Sequence, residues 1–468
     1  MARIIKRNKA LSVNPLKSSQ PVGASLAFMG IQHAMPMMHG SQGCTAFGKI
    51  FFVRHFREPI PLQTTAMDQL STIMGAGNNI IEGLKTICEK SRPDLIGLPA
   101  TGLSEIQGAD VKDAIKRFRE HYPEYNGIKV VPVSAPDFNG CMETGFAASV
   151  EAMITQLVPE CTVEGPRPVR RPRQVNVLAA SFLTPGDVEW LKDTIVLFGL
   201  CPVVIPDLAD SLDGHLADQD FSPLPMGGTP VSGFTSLGDA TVNLVIGPSL
   251  FRAADILRER TGVPDYRFDH LMGLEAVDKL LLLLSAISGN KVPECLRRQR
   301  AQLQDAMLDT HFMLGQTRFG IATDPDLLNA FSQFLQGMGA EVVAAVASSY
   351  APVLEQVPTK EVKIGDLEDL EHIARDQGAD ILIGNSHAVG SAARLGLPLL
   401  HAGFPQYDLV GGYQRNWIGY RGVRQVLFDL ANILLNSSHR EIKPYRSIYA
   451  QKLREASSHE FAAVFESG

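Results

Sequence analysis

The chain has 468 residues, enough for two to four domains, and 45% of them are hydrophobic while 20% are charged. Its formal net charge of −7 argues against a general nucleic-acid-binding protein, because such proteins carry a basic face. The longest apolar run, residues 280–287, is far too short to span a membrane, and the N-terminal residues lack the apolar segment of a secretory signal.

The cysteines are scattered along the chain and form no Cys-x-x-Cys pair. Their positions are Cys44, Cys88, Cys141, Cys161, Cys201 and Cys295. This pattern excludes a zinc ribbon or a ferredoxin loop within the chain, and it is not the pattern of a disulfide framework. We therefore expect a protein of the reducing cytoplasm, with neither nucleic acid nor a membrane as a partner.

The first part of the chain predicts an arm followed by an α/β domain. Residues 1–20 are expected to be extended, because Pro15 and Pro21 oppose regular structure. Within residues 21–163, strands are predicted at 93–99 and 129–133, and helices at 80–90, 111–119 and 147–157. The recurrence of strand, loop and helix is typical of a parallel α/β domain.

Residues 164–173 predict a domain boundary, because their three prolines and four arginines cannot form a packed core element. A second α/β domain is predicted for residues 174–292. A bridging helix and a third α/β domain follow in residues 293–435, and residues 436–468 form a polar C-terminal tail. The predicted fold class is α/β, with three doubly wound Rossmann-like domains and mainly parallel sheets. In the third domain, Asp324 and Pro325 are expected to cap and start a helix.

The strongest candidate for chemistry is Cys44, in the stretch from His39 to Pro59. Gly40 and Gly43 let the backbone turn tightly and approach a bulky group closely. Cys44 is expected where a loop feeds a helix or strand, and a thiolate at a helix N-terminus is a good metal ligand. The alternative is a cysteine buried in a packed turn, which is the more common case for an arbitrary cysteine.

Other candidate motifs are weaker. The chain has no GxGxxG or phosphate-binding loop, and the glycines near residue 75 lack the third glycine of a dinucleotide site. Methionines 35, 37 and 38 favour a packed patch over a soft-metal site. His387 and His401 follow predicted strands, where open α/β sheets bind ligands, although a structural role is equally compatible with the sequence. The acidic residues Glu105, Asp110 and Glu143 are interpreted as solvated loop carboxylates.

One thiol cannot hold an iron–sulfur cluster by itself, because a [4Fe–4S] cluster usually takes four protein thiolates. If Cys44 is a cluster ligand, the other ligands come most economically from a second chain across an interface. The aromatic and basic residues from Phe47 to Arg57 suit such a contact. An ordinary helix with one buried face is the alternative explanation of this run.

Five segments together resemble the nitrogenase component 1 superfamily, on its beta-subunit side. They are His39-Gly-Ser-Gln-Gly-Cys44, Arg54-His-Phe-Arg-Glu-Pro59, Thr317-Arg-Phe-Gly-Ile-Ala-Thr-Asp-Pro325, Gly384-Asn-Ser386 and Gly403-Phe-Pro405. The resemblance extends in order from about residue 20 to residue 435. Within the superfamily, the chain is most similar to the beta-type subunits of the cofactor-assembly scaffold.

The resemblance is incomplete at the metal ligands. Catalytic beta subunits of this superfamily carry three cysteines for an eight-iron P-cluster, and only the first is matched, by Cys44. Leu62 and Gly102 stand near the second and third positions, and neither can ligate iron. The resemblance therefore implies a shared [4Fe–4S] cluster, with Cys44 from this chain and three cysteines from an alpha-like E-type partner. Cys141 aligns approximately with a beta-subunit serine near the P-cluster and is interpreted as a packing thiol or one near the cluster.

The resemblance implies that the chain is a scaffold subunit for cofactor assembly rather than an enzyme by itself. It also implies a heterotetramer of two E-type chains and two chains of this type, which is expected to receive an all-iron precursor carried mainly on the partner. There the precursor becomes the iron–molybdenum cofactor, the nitrogenase iron protein docks transiently, and the catalytic nitrogenase apoprotein accepts the product. The alternatives are a catalytic beta subunit of a nitrogenase or nitrogenase-like reductase, and a metal-free interaction protein that retains the fold.

Overall fold

The computed structural model describes residues 1–9, 11–108, 110–161, 171–216 and 222–438. Most of the predicted boundary at 164–173 and nearly all of the predicted tail lie outside the described residues. The described part contains three sheets whose paired strands are all parallel. The predicted α/β fold class is therefore confirmed. No helix in the described ranges is long and apolar enough to cross a membrane.

The N-terminal arm is more regular than predicted. Its strand β1 (Arg3–Ile5) pairs with the strand Glu361–Ile364 at the edge of the third sheet. Pro21 does not oppose regular structure, because it lies in the first turn of α1 (Gln20–Met29), where a missing N–H costs no helical hydrogen bond.

The first sheet has the strand order β3-β2-β4-β5. Its elements after α1 are β2 (Ala34–Met38), α2 (Gln42–Phe56), β3 (Gln63–Thr64), α3 (Gln69–Met74), α4 (Gly77–Lys90), β4 (Leu95–Ala100), α5 (Gly102–Gln107), α6 (Val111–His121), β5 (Lys129–Ser134) and α7 (Met142–Leu157). All ten residues of α1 are buried, and α1 packs so closely on α7 that a Cβ at Gly23 would lie 1.8 Å from Met142 O. The strand order reverses between β2 and β4, which is where open α/β sheets bind ligands.

The second sheet has the order β7-β6-β8-β9. Its elements are β6 (Gln174–Ala179), α8 (Pro185–Leu197), β7 (Cys201–Ile205), α9 (Leu208–Ser211), α10 (Val231–Thr235), β8 (Val242–Ile246), α11 (Phe251–Thr261) and β9 (Asp265–Phe268). Its strands are buried apolar runs, as expected of a parallel sheet covered by helices.

The third sheet has the order β1-β12-β11-β10-β13-β14. Its remaining elements are α12 (Leu274–Ser288), α13 (Glu294–Leu314), β10 (Arg318–Thr323), α14 (Pro325–Gly337), β11 (Glu341–Ala347), β12 (Glu361–Ile364), α15 (Leu367–Gln377), β13 (Ile381–Gly384), α16 (Val389–Leu395), β14 (Leu399–His401) and α17 (Gly419–Ser438). Continuous hydrophobic cores join the first domain to the second and the second to the third, so the sheets are held in one packed body.

Two local predictions are wrong because tertiary contacts replace local ones. Helix α14 begins at Pro325, but Asp324 does not cap it, because its carboxylate accepts the hydroxyl of Ser348 instead. Glu143 is not a solvated loop residue, since it lies in the first turn of α7 and is 1% exposed.

Candidate metal centre

Cys44 lies in the first turn of α2, just after the carboxyl end of β2. Its thiol is free and exposed, so the alternative of a buried, packed cysteine is wrong. The first N–H groups of a helix have no intrahelical partner, and the helix dipole places partial positive charge there. The position therefore suits a negatively charged ligand sulfur.

Backbone hydrogen bonds fix the loop between β2 and α2. His39 donates its N–H to Pro99 O at 2.8 Å, and Thr101 donates its N–H to His39 O at 3.0 Å. A Cβ at Gly40 would lie 2.3 Å from Thr101 Oγ1, whereas a Cβ at Gly43 would meet no atom within 4 Å. The predicted close approach of the backbone therefore applies to Gly40 and not to Gly43.

The side chain of His39 packs against this loop inside the protein. It is fully buried, and its Nδ1 lies 3.0 Å from Thr65 Oγ1. Burial lowers the pKa of His39 to about 4, so the imidazole is neutral at pH 7. His39 therefore contributes packing and a hydrogen bond to the loop, and no charge.

A cavity of about 570 Å³ opens beside Cys44, within the size range of ligand pockets. One wall is a single face of α2, because Cys44, Phe47, Gly48 and Phe51 follow helical spacing. The facing wall comes from the N-terminal arm and the third domain. Its residues are Asn14, Pro15, Lys17, Ser18, Ser19, His387 and Tyr407. The fold thus brings together segments that no sequence motif connects.

Only one of the two candidate histidines reaches this cavity. The ring of His387 packs against Phe51 with a centroid distance of 5.8 Å, and its Nδ1 is buried without a hydrogen-bond partner. Burial lowers the pKa of His387, which favours the neutral ring. His401 does not line the cavity, and its Nε2 lies 2.9 Å from Asp408 Oδ2.

Leu62 and Gly102, which stand near the positions of the further cysteines, do not line the cavity, but each lies next to a residue that does. Leu62 is 3% exposed, and its Cδ2 lies 3.8 Å from a Cβ built on Gly48, which lines the cavity. A Cβ on Gly102 would lie 3.3 Å from the backbone nitrogen of Asp137, another lining residue. Neither position presents an atom that binds iron.

Asp137 is the acidic residue of the cavity. Burial raises the pKa of its carboxyl group, although a hydrogen bond from the Gly102 N–H and the positive charge of Lys17 act in the opposite direction. Lys17 also donates its ammonium group to Asp137 O at 3.2 Å, which ties the arm to this loop.

The remaining cysteines lie outside the cavity lining. Cys141 is fully buried at the start of α7, where Ser349 donates its hydroxyl to Sγ at 3.1 Å and burial raises the thiol pKa well above its ordinary value. Burial likewise raises the pKa of Cys88 to about 11. Among the described residues, no three His, Cys, Asp or Glu side chains are grouped so that they could hold a metal ion. The cavity therefore receives one thiol from this chain, that of Cys44.

Exposed apolar side chains lie on the elements around Cys44. We define the apolar face by seven residues that are at least half exposed: Phe47, Ile50, Leu70, Ile73, Met74, Ile106 and Phe138. Helices α3 and α5 contact each other, and a parallel bridge joins Ser41 to Met67 just before α3. An apolar patch of this kind is typical of an interaction surface.

The basic residues at the end of α2 are mostly engaged within the chain. The Arg54 guanidinium lies 4.4 Å from the centroid of the Tyr407 ring, and Arg57 Nη2 donates to Tyr407 O at 3.2 Å. His55 is buried and accepts the Gln406 N–H at 2.9 Å, and burial lowers its pKa to about 3. The apolar residues of this segment are therefore freer to contact a partner than its basic ones.

The cleft between the three domains is nearly filled. Its remaining cavity has a volume of about 50 Å³, and its lining includes Phe182, Phe404 and Trp417. Ligand pockets usually have volumes of about 300–1,000 Å³. This cleft is therefore too small for a ligand of ordinary size.

Comparisons with known proteins agree with this geometry. The model of the family described as nitrogenase component 1 type oxidoreductase matches residues 19–435. The chain is 46% identical over 447 residues to the nitrogenase iron-molybdenum cofactor biosynthesis protein NifN of Klebsiella pneumoniae, covering 96% of each chain. A protein of the same name from Bradyrhizobium diazoefficiens is 44% identical, covering 94% of this chain and 93% of that protein.

A solved structure described as "Nitrogenase Cp1 at pH 6.5" has a similar fold. It superposes with a TM-score of 0.86 at 27% sequence identity, covering 95% of this chain and 98% of that chain. The similarity therefore extends over all three domains.

Proposed function

Because this chain belongs to the nitrogenase component 1 family, we propose that it is the beta-type subunit of the scaffold on which the nitrogenase iron–molybdenum cofactor is assembled. The observation that carries the proposal is the ligand set at the cavity: Cys44 is present, while Leu62 and Gly102 stand near the other two cysteine positions. Curated relatives over about 95% of the chain are named as cofactor biosynthesis proteins, which supports the same assignment.

The proposed metal centre is a [4Fe–4S] cluster shared with an alpha-like E-type partner. Such a cluster takes four thiolates, so this chain supplies Cys44 and the partner supplies three. When bound, the cluster provides one-electron transfer. The exposed position of Cys44 leaves its sulfur accessible to a second chain, and the apolar face excludes water around it once the partner is bound.

The cargo of the scaffold, an all-iron precursor that becomes the iron–molybdenum cofactor, is carried mainly by the partner. The filled cleft of this chain supports this assignment, since about 50 Å³ does not accommodate a multi-iron cluster. The assembly contains two chains of each type. The nitrogenase iron protein docks transiently, and the catalytic nitrogenase apoprotein accepts the finished cofactor.

A catalytic beta subunit of a nitrogenase, or a nitrogenase-like reductase, is not supported. The lack of iron ligands at Leu62 and Gly102 counts against the nitrogenase subunit, and the nitrogenase-like spacing from Arg54 to Pro59 counts against the reductase. The curated relatives carry the biosynthesis name.

Replacing Cys44 by alanine tests the proposal in the complex co-purified with its alpha-like partner. We expect loss of the cluster spectrum and of iron on the order of four atoms per cluster, because one of the four thiolates is removed. Cys295→Ala is the matched control, since Cys295 is also an exposed free cysteine and lies on α13. Unchanged iron content and spectrum in the Cys44→Ala complex would reject the assignment.

A further inference from the structure

Ser41 occupies the position just before α2, where a serine side chain usually accepts a backbone N–H of the first helical turn. Ser41 makes no such cap. Its hydroxyl instead donates to Cys44 Sγ, with 3.3 Å between the two atoms. The side chain in the capping position therefore donates to the Cys44 sulfur and does not cap the helix.

The backbone around Ser41 is held in place on both sides. A parallel bridge pairs Ser41 with Met67, and the Met67 N–H donates to Gly40 O at 2.9 Å. The Gly40 N–H in turn donates to Thr65 Oγ1 at 3.2 Å. Because these contacts fix the chain just before the helix, the hydroxyl is held within reach of Sγ without depending on a bound group.

A second observation is an unpaired buried hydroxyl beside the cavity that contains Cys44. Ser18 lines this cavity and is 7% exposed, yet its Oγ has no hydrogen-bond partner. A buried hydroxyl without a partner is costly, so the chain by itself leaves a polar group unsatisfied at the edge of this cavity.

We propose that Ser41 is a positioning residue for the iron-bound sulfur of Cys44 and that its hydroxyl raises the reduction potential of the shared cluster. This inference rests on the proposed function, in which Cys44 is a cluster ligand. A metal-bound thiolate carries no proton, so the Ser41 hydroxyl is the donor in this pair. Hydrogen bonds to cluster sulfurs favour the more negative, reduced state, which raises the potential.

The test is a redox titration of the purified complex with its partner, followed by electron paramagnetic resonance and iron analysis. We expect Ser41→Ala to shift the cluster potential to a more negative value while iron content stays the same. Ser41→Thr keeps a hydroxyl at the same position and is expected to restore the potential. Thr45→Val is the matched control, because the Thr45 hydroxyl is buried one residue from Cys44 but has no hydrogen-bond partner.

Three results would overturn the inference. They are an unchanged potential in Ser41→Ala, an equal shift in Thr45→Val, and loss of iron in both Ser41→Ala and Ser41→Thr. Failure of the proposed function would look different, since the Cys44→Ala complex would then keep its cluster. If the Cys44→Ala complex loses its cluster and Ser41→Ala leaves the potential unchanged, only the role of Ser41 is rejected.

Discussion

Asp326 brings a carboxylate into a buried junction of all three domains. Its N–H donates to Glu143 Oε2 at 2.9 Å, and its Oδ2 accepts the Ser249 N–H at 3.0 Å, while Oδ1 has no partner. Burial, with the negative charges of Asp269 and Asp324 contributing, raises the pKa of Asp326 to about 7. Burial also raises the pKa of Glu143 well above its ordinary value, so this junction holds protons that the unfolded chain would release.

Asp326→Asn is therefore expected to make stability less dependent on pH. The pKa of Asp326 rises from an ordinary value of 3.8 to about 7 on folding, so its stabilising contribution is complete below about pH 4 and is lost as pH rises through 7. The variant should gain on the order of a few kcal/mol relative to the parent at pH 8 and little at pH 4. The apparent Tm measured between pH 4 and pH 8 checks this.

Asp309→Asn is the control, because Asp309 is exposed on α13. The interpretation fails if Asp326→Asn and the parent lose the same stability between pH 4 and pH 8.

At the scale of elements, the N-terminal arm connects the third domain to the Cys44 cavity. Lys9 Nζ lies 2.9 Å from Asp366 Oδ1 and 2.6 Å from Glu368 Oε2, at the start of α15. The Val13 N–H donates to the other oxygen of Asp366 at 2.9 Å. The arm then continues into residues 14–19, most of which line the cavity. Contacts at α15 therefore determine how the arm enters the candidate site.

Lys9→Met should loosen this attachment. The side chain of Asp366 is 2% exposed, so removing the cation leaves a buried carboxylate with only its hydrogen bonds. We expect a loss of about 1–3 kcal/mol of stability, less than for a fully buried pair because Lys9 is partly exposed. Hydrogen exchange of residues 11–19 should become faster. The control is Lys6→Met, at an exposed position of the arm, which should leave stability and hydrogen exchange unchanged. Equal exchange rates in the Lys9 and Lys6 variants would contradict a role of Lys9 in attaching the arm.

At the scale of the whole molecule, the open space lies at the surface and not at the centre. The cleft between the three domains retains about 50 Å³, while the cavity beside Cys44 measures about 570 Å³ and opens near the apolar face. The chain therefore exposes the Cys44 thiol and an apolar face beside it, while its centre is packed. Its activity is then expected to belong to the assembled complex.

Phe47→Ala tests the apolar face as the contact with the alpha-like partner. Phe47 is 67% exposed on the face of α2 that carries Cys44. Truncating an aromatic anchor of an interface costs about 2 kcal/mol or more, so we expect association with the partner to weaken by about thirtyfold or more. The Tm of this chain should not fall, because little packing is lost within it.

Leu282→Ala provides the control for this measurement, since Leu282 is 66% exposed on α12. Equal affinities of the two variants for the partner would exclude Phe47 from the interface.

The sequence by itself was informative about properties that depend on the identity of a residue or on a local pattern. The apolar runs predicted parallel strands, because strands buried on both faces need them. The glycines near Cys44 predicted a close backbone approach, which holds for Gly40 beside Thr101 and not for Gly43. The absence of cysteine at positions 62 and 102 could be read directly from the chain. These inferences need no knowledge of distant contacts.

Tertiary structure decided everything that depends on residues far apart in the chain. Sequence reasoning assigned Asp324 to a helix cap and Glu143 to solvent, whereas the packing of three domains gave them buried partners. It did not connect the arm or His387 with Cys44, because no local spacing encodes a wall made from separate domains. The sequence therefore determined which candidate ligand this chain carries, and the fold decided where Cys44 lies and what surrounds it, since burial and charge depend on the complete packed structure.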